Sequence, residues 1–181
     1  MTKPDSTIDV YADLGIRPII NCQSQRTSLG GSLLSPEVEL AMKEANSSYV
    51  IMPELMNRAG ERVADLMGVE AAYITSGCAA ALALSAAACM AGNDPEKRGR
   101  IPNTTGMKNE IVIQKAQRYG YDRSFTVAGA VLVEAGEQES CSVQQLEAAI
   151  GPKTAAVAYL VEPEGGSALP FGDTVNLAHS H

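Results

Sequence analysis

The 181-residue sequence lacks the marks of a secreted protein. Its first ten residues, MTKPDSTIDV, contain no apolar core, so we expect no secretory signal peptide. The cysteines form no C-x-x-C pair; they are Cys22, Cys78, Cys89 and Cys141. Without a secretion signal, this pattern predicts reduced thiols and a cytoplasmic protein. Internal repeats and low-complexity tracts are also missing from the sequence.

Positive charge is scarce as well. The formal net charge is -7 and the sequence pI is about 4.8, which argues against a nucleic-acid partner. The densest basic cluster, residues 97–100, is predicted to lie in a polar loop. Residues 71–93 carry no charge, but small residues predominate there, so a buried helix is favoured over a membrane span.

The most informative stretch that is present covers residues 72–92, AYITSGCAAALALSAAACMAG. It predicts a strand over Ala72–Thr75, a turn at Ser76-Gly77 and a helix over Gly77–Ala91. The first turn of a helix presents unpaired N–H groups and a positive dipole end, which together bind anions such as phosphate. Ser76 can add a hydroxyl donor, and glycine at the turn lets a ligand approach the backbone closely. Cys78 is expected to pack as a small hydrophobe; a nucleophilic role at the helix start is the alternative.

Local signals predict the flanking helices. Ser35-Pro36 provides an N-cap followed by a first-turn proline, and this helix should continue through Ala45. A second helix is expected from Pro53 to a stop at Gly68. Ser142 and Gln145 have the spacing of a capping box, which predicts a helix that ends at Gly151-Pro152.

From residue 110 onward, apolar runs alternate with helical patterns. The expected strands and helices are Glu110–Gln114, a short helix at Tyr121–Ala128, Ala130–Glu134, Ala155–Val161 and a last helix from about Gly172. Strands that are apolar on both faces and separated by helices predict a doubly wound, mainly parallel α/β sheet. In such sheets, ligands bind beyond the carboxyl ends of the strands. We therefore expect the turn at residues 76–77, the segment 114–122 and the segment 162–166 to face one crevice.

Four motifs together resemble a known family: ITSGCAAALALSAAACMAG, RTSLGGSLLSPEV, NRAGERVADLMGVEAAY and VEPEGGSALPF. The chain resembles selenocysteine-synthase-like proteins, a group of pyridoxal-phosphate enzymes that includes D-glucosaminate-6-phosphate ammonia-lyase-like members. The resemblance extends from about Tyr11 to His181. It implies the aspartate-aminotransferase fold (type I of the pyridoxal-phosphate enzymes), with an N-terminal helical arm over residues 1–70 and an incomplete cofactor-binding large domain over residues 71–181.

The resemblance also implies a cofactor, pyridoxal 5'-phosphate, and residues that would contact it. Ser76, Gly77 and Cys78 match the loop that cradles the cofactor phosphate. Gln117 stands where many relatives carry a histidine, in a position that could lie over the pyridine ring. Glutamine cannot stack as an aromatic ring does, so Tyr119 or Tyr121 would have to compensate, unless these tyrosines only pack at the strand exit.

Two further roles follow from the same resemblance. Glu162 and Glu164 would lie near the cofactor edge, although EPEGG could equally form a simple turn. Arg26, in the arm, is a candidate for a substrate carboxylate or phosphate, because guanidinium binds such groups bidentately. The alternative is an ordinary surface arginine.

The lysine that would hold the cofactor as a Schiff base has no match in this chain. The lysines present are Lys3, Lys43, Lys97, Lys108, Lys115 and Lys153. The acidic partner of the pyridine nitrogen has no match either. A histidine pair at positions 179 and 181 would not face one metal ion, because residues two apart on a helix diverge. We therefore expect no catalytic residue and no metal ligand within these residues.

These observations predict an N-terminal fragment of a pyridoxal-phosphate lyase or transferase that is inactive alone. Its substrate would be an amino acid or a phosphorylated amino sugar acid, and the acidic net charge favours the ammonia-lyase-like branch over selenium transfer to a tRNA. The alternative is a non-catalytic assembly or regulatory fragment that pairs with a full-length relative. We expect the chain to form a homo-oligomer and to have no contact with a membrane.

Overall fold

The computed structural model describes residues 10–161 and 168–181. The chain divides into two compact units, one ending at Leu55 and one beginning at Met56. The helices are α1 (Val10–Asp13), α2 (Pro36–Ala45), α3 (Met52–Met67), α4 (Cys78–Ala91), α5 (Pro95–Arg100), α6 (Val143–Ala149) and α7 (Phe171–His179). The strands are β1 (Glu110–Gln114), β2 (Val131–Ala135) and β3 (Thr154–Ala158). The boundary expected between residues 70 and 71 stays a prediction.

The first unit contains short helices and turns. Arg26 precedes a 3-10 helix at Thr27–Leu29, and α2 begins at Pro36 after an extended Ser35, as the N-cap and proline signals indicated. Helix α3 begins one residue before the predicted Pro53 and ends at Met67, where Gly68 has a left-handed φ of 65°. Local sequence signals therefore located both helices to within a residue or so.

The sheet of the second unit is parallel, with the strand order β2-β1-β3. Strand β1 is central, and its successive residues enter opposite cores because side chains alternate across a strand. Ile111 packs with residues of α4, including Ala86 and Met90. Val112 packs on the other side with Leu146 of α6. Helices thus cover both faces of a parallel sheet, as the alternating pattern predicted.

Helix α3 approaches the chain that leads into α4 very closely. Gly60 is buried, and a Cβ atom built at this residue would lie 2.4 Å from the carbonyl oxygen of Ala72. No side chain fits in this space without movement of the backbone. The glycine therefore sets the distance between α3 and the segment that precedes Ser76.

The structure corrects several expectations. Residues 72–75 form no strand within the described ranges, because a strand needs a hydrogen-bonding neighbour and the described sheet offers none there. The basic cluster at residues 97–100 is not in a loop; it lies in α5, where Asp94 accepts hydrogen bonds from the N–H groups of Glu96 and Lys97. The expected helix at Tyr121–Ala128 is a 3-10 helix at Asp122–Ala128. Strand β3 ends at Ala158, three residues before the predicted end.

The capping box is confirmed in full. The Ser142 hydroxyl accepts from the Gln145 N–H at 3.2 Å, and the Gln145 side chain accepts from the Ser142 N–H at 2.9 Å.

None of the helices in the described ranges is long and apolar enough to cross a membrane.

Candidate functional site

The turn before α4 is shaped by a threonine. The Thr75 hydroxyl donates to the Gly77 carbonyl at 2.9 Å and accepts from the Gly77 N–H at 3.4 Å. These two bonds hold the main chain in a fixed bend, because a short side chain that bonds to nearby backbone groups stabilises a turn. Ser76 lies at the tip of this bend and is exposed. Its hydroxyl therefore faces solvent next to the start of the helix.

The amino end of α4 is open. Gly77 is the N-cap, and the first helical bond runs from the Ala81 N–H to the Gly77 carbonyl at 3.0 Å. The N–H groups of Cys78 to Ala80 therefore precede the intrahelical bonding pattern. Residues 76–79 are all exposed, so the expectation that Cys78 packs as a small hydrophobe is wrong, and the first turn contains no acidic residue. Apart from its chain neighbours, no described atom lies within 4 Å of the position that a Cβ at Gly77 would take. The backbone φ of 157° favours glycine at this residue, and the space beside it is available to a ligand.

The segment after β1 lies beside helix α4. Tyr119 is half-buried, and burial, followed by the electrostatic effects of Cys78 and Asp122, raises the pKa of its phenol. Tyr119 lines a cavity together with Leu82 and Ser85 of α4, so the second predicted strand exit lies beside the helix that follows the first. The ring of Tyr121 lies 6.3 Å from that of Tyr119 but is itself exposed.

A charged bridge fixes the same segment. Arg118 donates from Nε to Asp122 and from Nη1 to Glu134 of β2, and the Tyr119 N–H donates to Asp122 at 3.2 Å. Burial disfavours the charged form of Asp122, which is 3% exposed, yet the hydrogen bonds from Arg118 and Tyr119 outweigh it and lower the pKa of this carboxyl. The carboxylate is thus the anchor of the chain that carries Tyr119.

Gln117 is buried, and both ends of its amide are bonded. Its Nε2 donates to the Leu160 carbonyl at 2.8 Å, and its Oε1 accepts from the Leu160 N–H at 3.3 Å. Leu160 follows β3, so this pair joins the segments that follow β1 and β3. The expectation that Gln117 lies over a cofactor ring stays a prediction.

Beneath these segments is an apolar cavity of about 290 Å³ between α4 and the sheet. Its lining includes Ser85 and Cys89 from α4, Tyr119 after β1, and Tyr159 and Leu160 after β3. The cavity therefore adjoins the segments that carry the candidate site, and most of the residues that line it are apolar.

The remaining predicted site residues lie elsewhere. Arg26 is exposed in the first unit, where its backbone pairs with Gly31. Glu162 and Glu164 lie outside the described residues. The structure thus brings the 114–122 segment and helix α4 together around one cavity, and it joins that segment to Leu160 through Gln117.

Sequence reasoning missed the residues that hold the site in place. Arg118 and Asp122 have the i, i+4 spacing typical of an ion pair, which was a usable signal. Gln114 is a polar residue that follows three apolar residues at the end of the strand EIVIQ, and it is fully buried. A buried amide needs hydrogen-bond partners, so this position also indicated a structural contact.

No family model matches the chain. It is 35% identical over 158 residues to the D-glucosaminate-6-phosphate ammonia lyase of Salmonella typhimurium (strain 14028s / SGSC 2262), which covers 85% of this chain and 43% of that protein. It is 31% identical over 179 residues to a 5'-C-glycyluridine monooxygenase-decarboxylase of a Streptomyces species, which covers 94% of this chain and 45% of that protein.

A solved structure of a D-glucosaminate-6-phosphate ammonia-lyase superposes with a TM-score of 0.90 at 31% identity, over 97% of this chain and 49% of that chain. The chain therefore spans about half the length of the relatives that it matches. The ammonia-lyase resemblance indicated by the sequence motifs is confirmed.

Proposed function

We propose that this chain, a homologue of D-glucosaminate-6-phosphate ammonia lyase over about half of that protein's length, forms the phosphate-binding part of a pyridoxal-5'-phosphate enzyme. The feature that supports the proposal is the open amino end of α4, where Ser76, Gly77 and Cys78 are exposed. Its position within a chain similar to an ammonia lyase makes a phosphorylated cofactor the ligand that fits best.

The residues at the turn suit a phosphate. The N–H groups of the first helical turn supply donors, and the helix dipole contributes about 0.3–1 kcal/mol toward an anion at an exposed site. The Ser76 hydroxyl adds a donor, and the space beside Gly77 admits an anion close to the main chain. No carboxylate of the first turn opposes the anion.

The cofactor, when bound, supplies an electron sink for a carbanion at the substrate carbon. The residues of this chain bind and orient it. Tyr119 is neutral near pH 7, because the ordinary pKa of a phenol is about 10 and burial raises it further, so its hydroxyl can donate a hydrogen bond to a bound ligand. Glu162 is a further residue that we assign to the cofactor side of the site, whereas Gln117, whose amide is bonded to Leu160, would act on that side through Leu160.

The substrate class that we propose is an amino acid or a phosphorylated amino sugar acid. Similarity to an ammonia lyase supports a lyase reaction with loss of ammonia, and the net charge of -7 gives no support for a tRNA substrate. Arg26 is the residue of the first unit that we assign to a substrate carboxylate or phosphate, because of its bidentate donor geometry. Residues 71–181 would form the cofactor domain and residues 1–70 the arm.

We further propose that residues 1–181 do not complete the reaction alone, because none of the six lysines matches the cofactor-lysine motif of the family. Incubation with pyridoxal phosphate, borohydride reduction and peptide mapping should give no specifically labelled lysine. A single stoichiometrically labelled lysine, Lys115 for example, would overturn this part of the proposal.

The binding test is a charge introduced at the turn. Ala79→Asp places a carboxylate in the exposed first turn of α4, and Ala88→Asp places the same charge on an exposed residue near the other end of this helix. Repulsion between the new carboxylate and a phosphate should weaken binding of pyridoxal phosphate by about tenfold or more in the first variant. Calorimetric titration of the wild type and both variants measures this. Equal affinities in the two variants would contradict a phosphate site at the turn.

A second candidate function is the assembly fragment, and the arm supports it. Within the part of the chain that the structure describes, helix α2 contains no buried residue, and its large apolar side chains are exposed: Val38, Leu40 and Met42. Such a surface is available for pairing with another copy or with a full-length relative. Sedimentation of the chain alone, and mixed with the similar ammonia lyase, distinguishes the two: a monomer that does not bind the lyase would remove this candidate.

A further inference from the structure

Two glutamine side chains hold the backbone on either side of the segment 162–167. Gln117 bonds to both the carbonyl and the N–H of Leu160, as described above. Gln114 does the same at Leu169: its Nε2 donates to the Leu169 carbonyl at 3.4 Å, and its Oε1 accepts from the Leu169 N–H at 2.6 Å. Both glutamines come from one short stretch at the end of β1.

A carboxamide is suited to this task because it carries a donor and an acceptor side by side, as a peptide group does. Each glutamine therefore pairs with a residue as a neighbouring strand would, at a place where the described sheet has no strand. Gln114 is fully buried and Gln117 is 4% exposed, so water does not compete for these bonds. Thr174 of α7 accepts a further bond from Gln114 at 3.3 Å.

The Gln117 clamp connects to the candidate site. Gln117 is two residues from Tyr119, which lines the apolar cavity together with Leu82 of α4. Leu160 and Tyr119 both line the apolar cavity. Release of Leu160 would therefore loosen one wall of the cavity together with the chain that carries Tyr119.

We infer that Gln114 and Gln117 are positioning residues: Gln114 fixes Leu169 in place, and Gln117 fixes Leu160 and thereby holds the segment that carries Tyr119 beside α4. Gln117 acts through Leu160, because both polar atoms of its amide are already bonded within the protein. The effect on ligand binding rests on the proposed function; the two clamps do not.

The clamps are tested by amide hydrogen exchange, measured by NMR on the full chain without ligand. Gln117→Met keeps the side-chain length and removes both bonds, so exchange of the Leu160 N–H should accelerate by about tenfold, the effect of losing one hydrogen bond or more. The Leu169 N–H should not change. Gln114→Met should give the reverse pattern. Gln144→Met, on an exposed position of α6, is the matched control and should change neither.

Unchanged protection of Leu160 in the Gln117 variant would overturn the clamp. If a variant does not fold, the wild type decides the matter: a nuclear Overhauser contact between the Gln117 carboxamide protons and the Leu160 N–H is expected, and its absence would overturn the clamp equally.

The positioning role is tested by titration with pyridoxal 5'-phosphate and with inorganic phosphate. Gln117→Met should raise the Kd of both by a similar factor of about three to ten, whereas Gln144→Met should leave both unchanged. If exchange of the Leu160 N–H accelerates but the Kd values do not change, the clamp is supported and the positioning role is overturned. A wild type that binds neither ligand would overturn the proposed function and the positioning role together, and the exchange data would still decide the clamps.

Discussion

Asp122 offers the sharpest test of how the site is held. The residue is 3% exposed, and its carboxylate accepts hydrogen bonds from the Arg118 guanidinium and from the Tyr119 N–H. Asp122→Asn keeps the shape of the side chain and removes the charge. Arg118 then loses a buried charged partner, although its bond to Glu134 of β2 remains.

The magnitude follows from these bonds. A hydrogen bond that involves a charged group contributes about 1.5–3 kcal/mol, and asparagine retains one neutral acceptor, so the free energy of unfolding should fall by about 2 kcal/mol. For a chain of this size that corresponds to a decrease in Tm of about 7 °C. Asp65→Asn, on an exposed position of α3, should change the Tm by about 1 °C or less.

The pH dependence gives an independent check. The pKa of Asp122 is lower in the folded chain than in the unfolded chain, so its contribution is fully present above about pH 4, the ordinary range of an aspartate. It is lost as the pH falls through the folded-state pKa. Urea unfolding of the wild type should therefore give a free energy that decreases on acidification, and Asp122→Asn should reduce this decrease. Identical acid profiles and equal stabilities in the Asp122 and Asp65 variants would refute the reasoning.

Two other substitutions test structural contacts of the fold: the close approach at Gly60 and the capping box at Ser142. Gly60→Ala places a Cβ atom 2.4 Å from the Ala72 carbonyl oxygen and should lower the free energy of unfolding by about 2 kcal/mol. A Cβ atom at Gly99 would meet no described atom within 4 Å outside its chain neighbours and its own helix. Gly99→Ala should therefore leave the free energy of unfolding unchanged or raise it slightly. Stability of the Gly60 variant equal to that of the Gly99 variant would contradict the close packing. Ser142→Ala removes one half of the capping box and should cost about 1 kcal/mol in chemical denaturation; no loss would mean that water replaces the hydroxyl fully.

Local signals accounted for most of the helices. The capping box at Ser142 and the Ser35-Pro36 start depend only on residues within one helical turn, so the sequence contains all the information that they need. The same kind of signal at Asp94-Pro95 starts α5, but the basic cluster that follows was interpreted as a loop. The strand expected at residues 72–75 was wrong for a different reason, because strand formation depends on a partner that β-propensity does not reveal.

The candidate site was predictable in part. The bend at Ser76 and the start of α4 follow from glycine placement and helix propensity, which are local. The amide clamps were not predictable, because Gln117 and Leu160 are 43 residues apart and Gln114 and Leu169 are 55 apart. The residues around each glutamine do not indicate which backbone groups its side chain will contact. Only the packing of the sheet brings them together.

The central position of β1 also determines where the chain tolerates insertions. Its five residues pair along their whole length with β2, from Glu110 with Val131 to Gln114 with Ala135, and its alternate side chains fill two separate cores. One residue inserted within β1 would turn every later side chain of the strand to the opposite face and exchange the contents of the two cores. An insertion in the exposed turn at residues 137–140, by contrast, displaces no buried side chain. Tags and reporter peptides for this protein therefore belong in that turn.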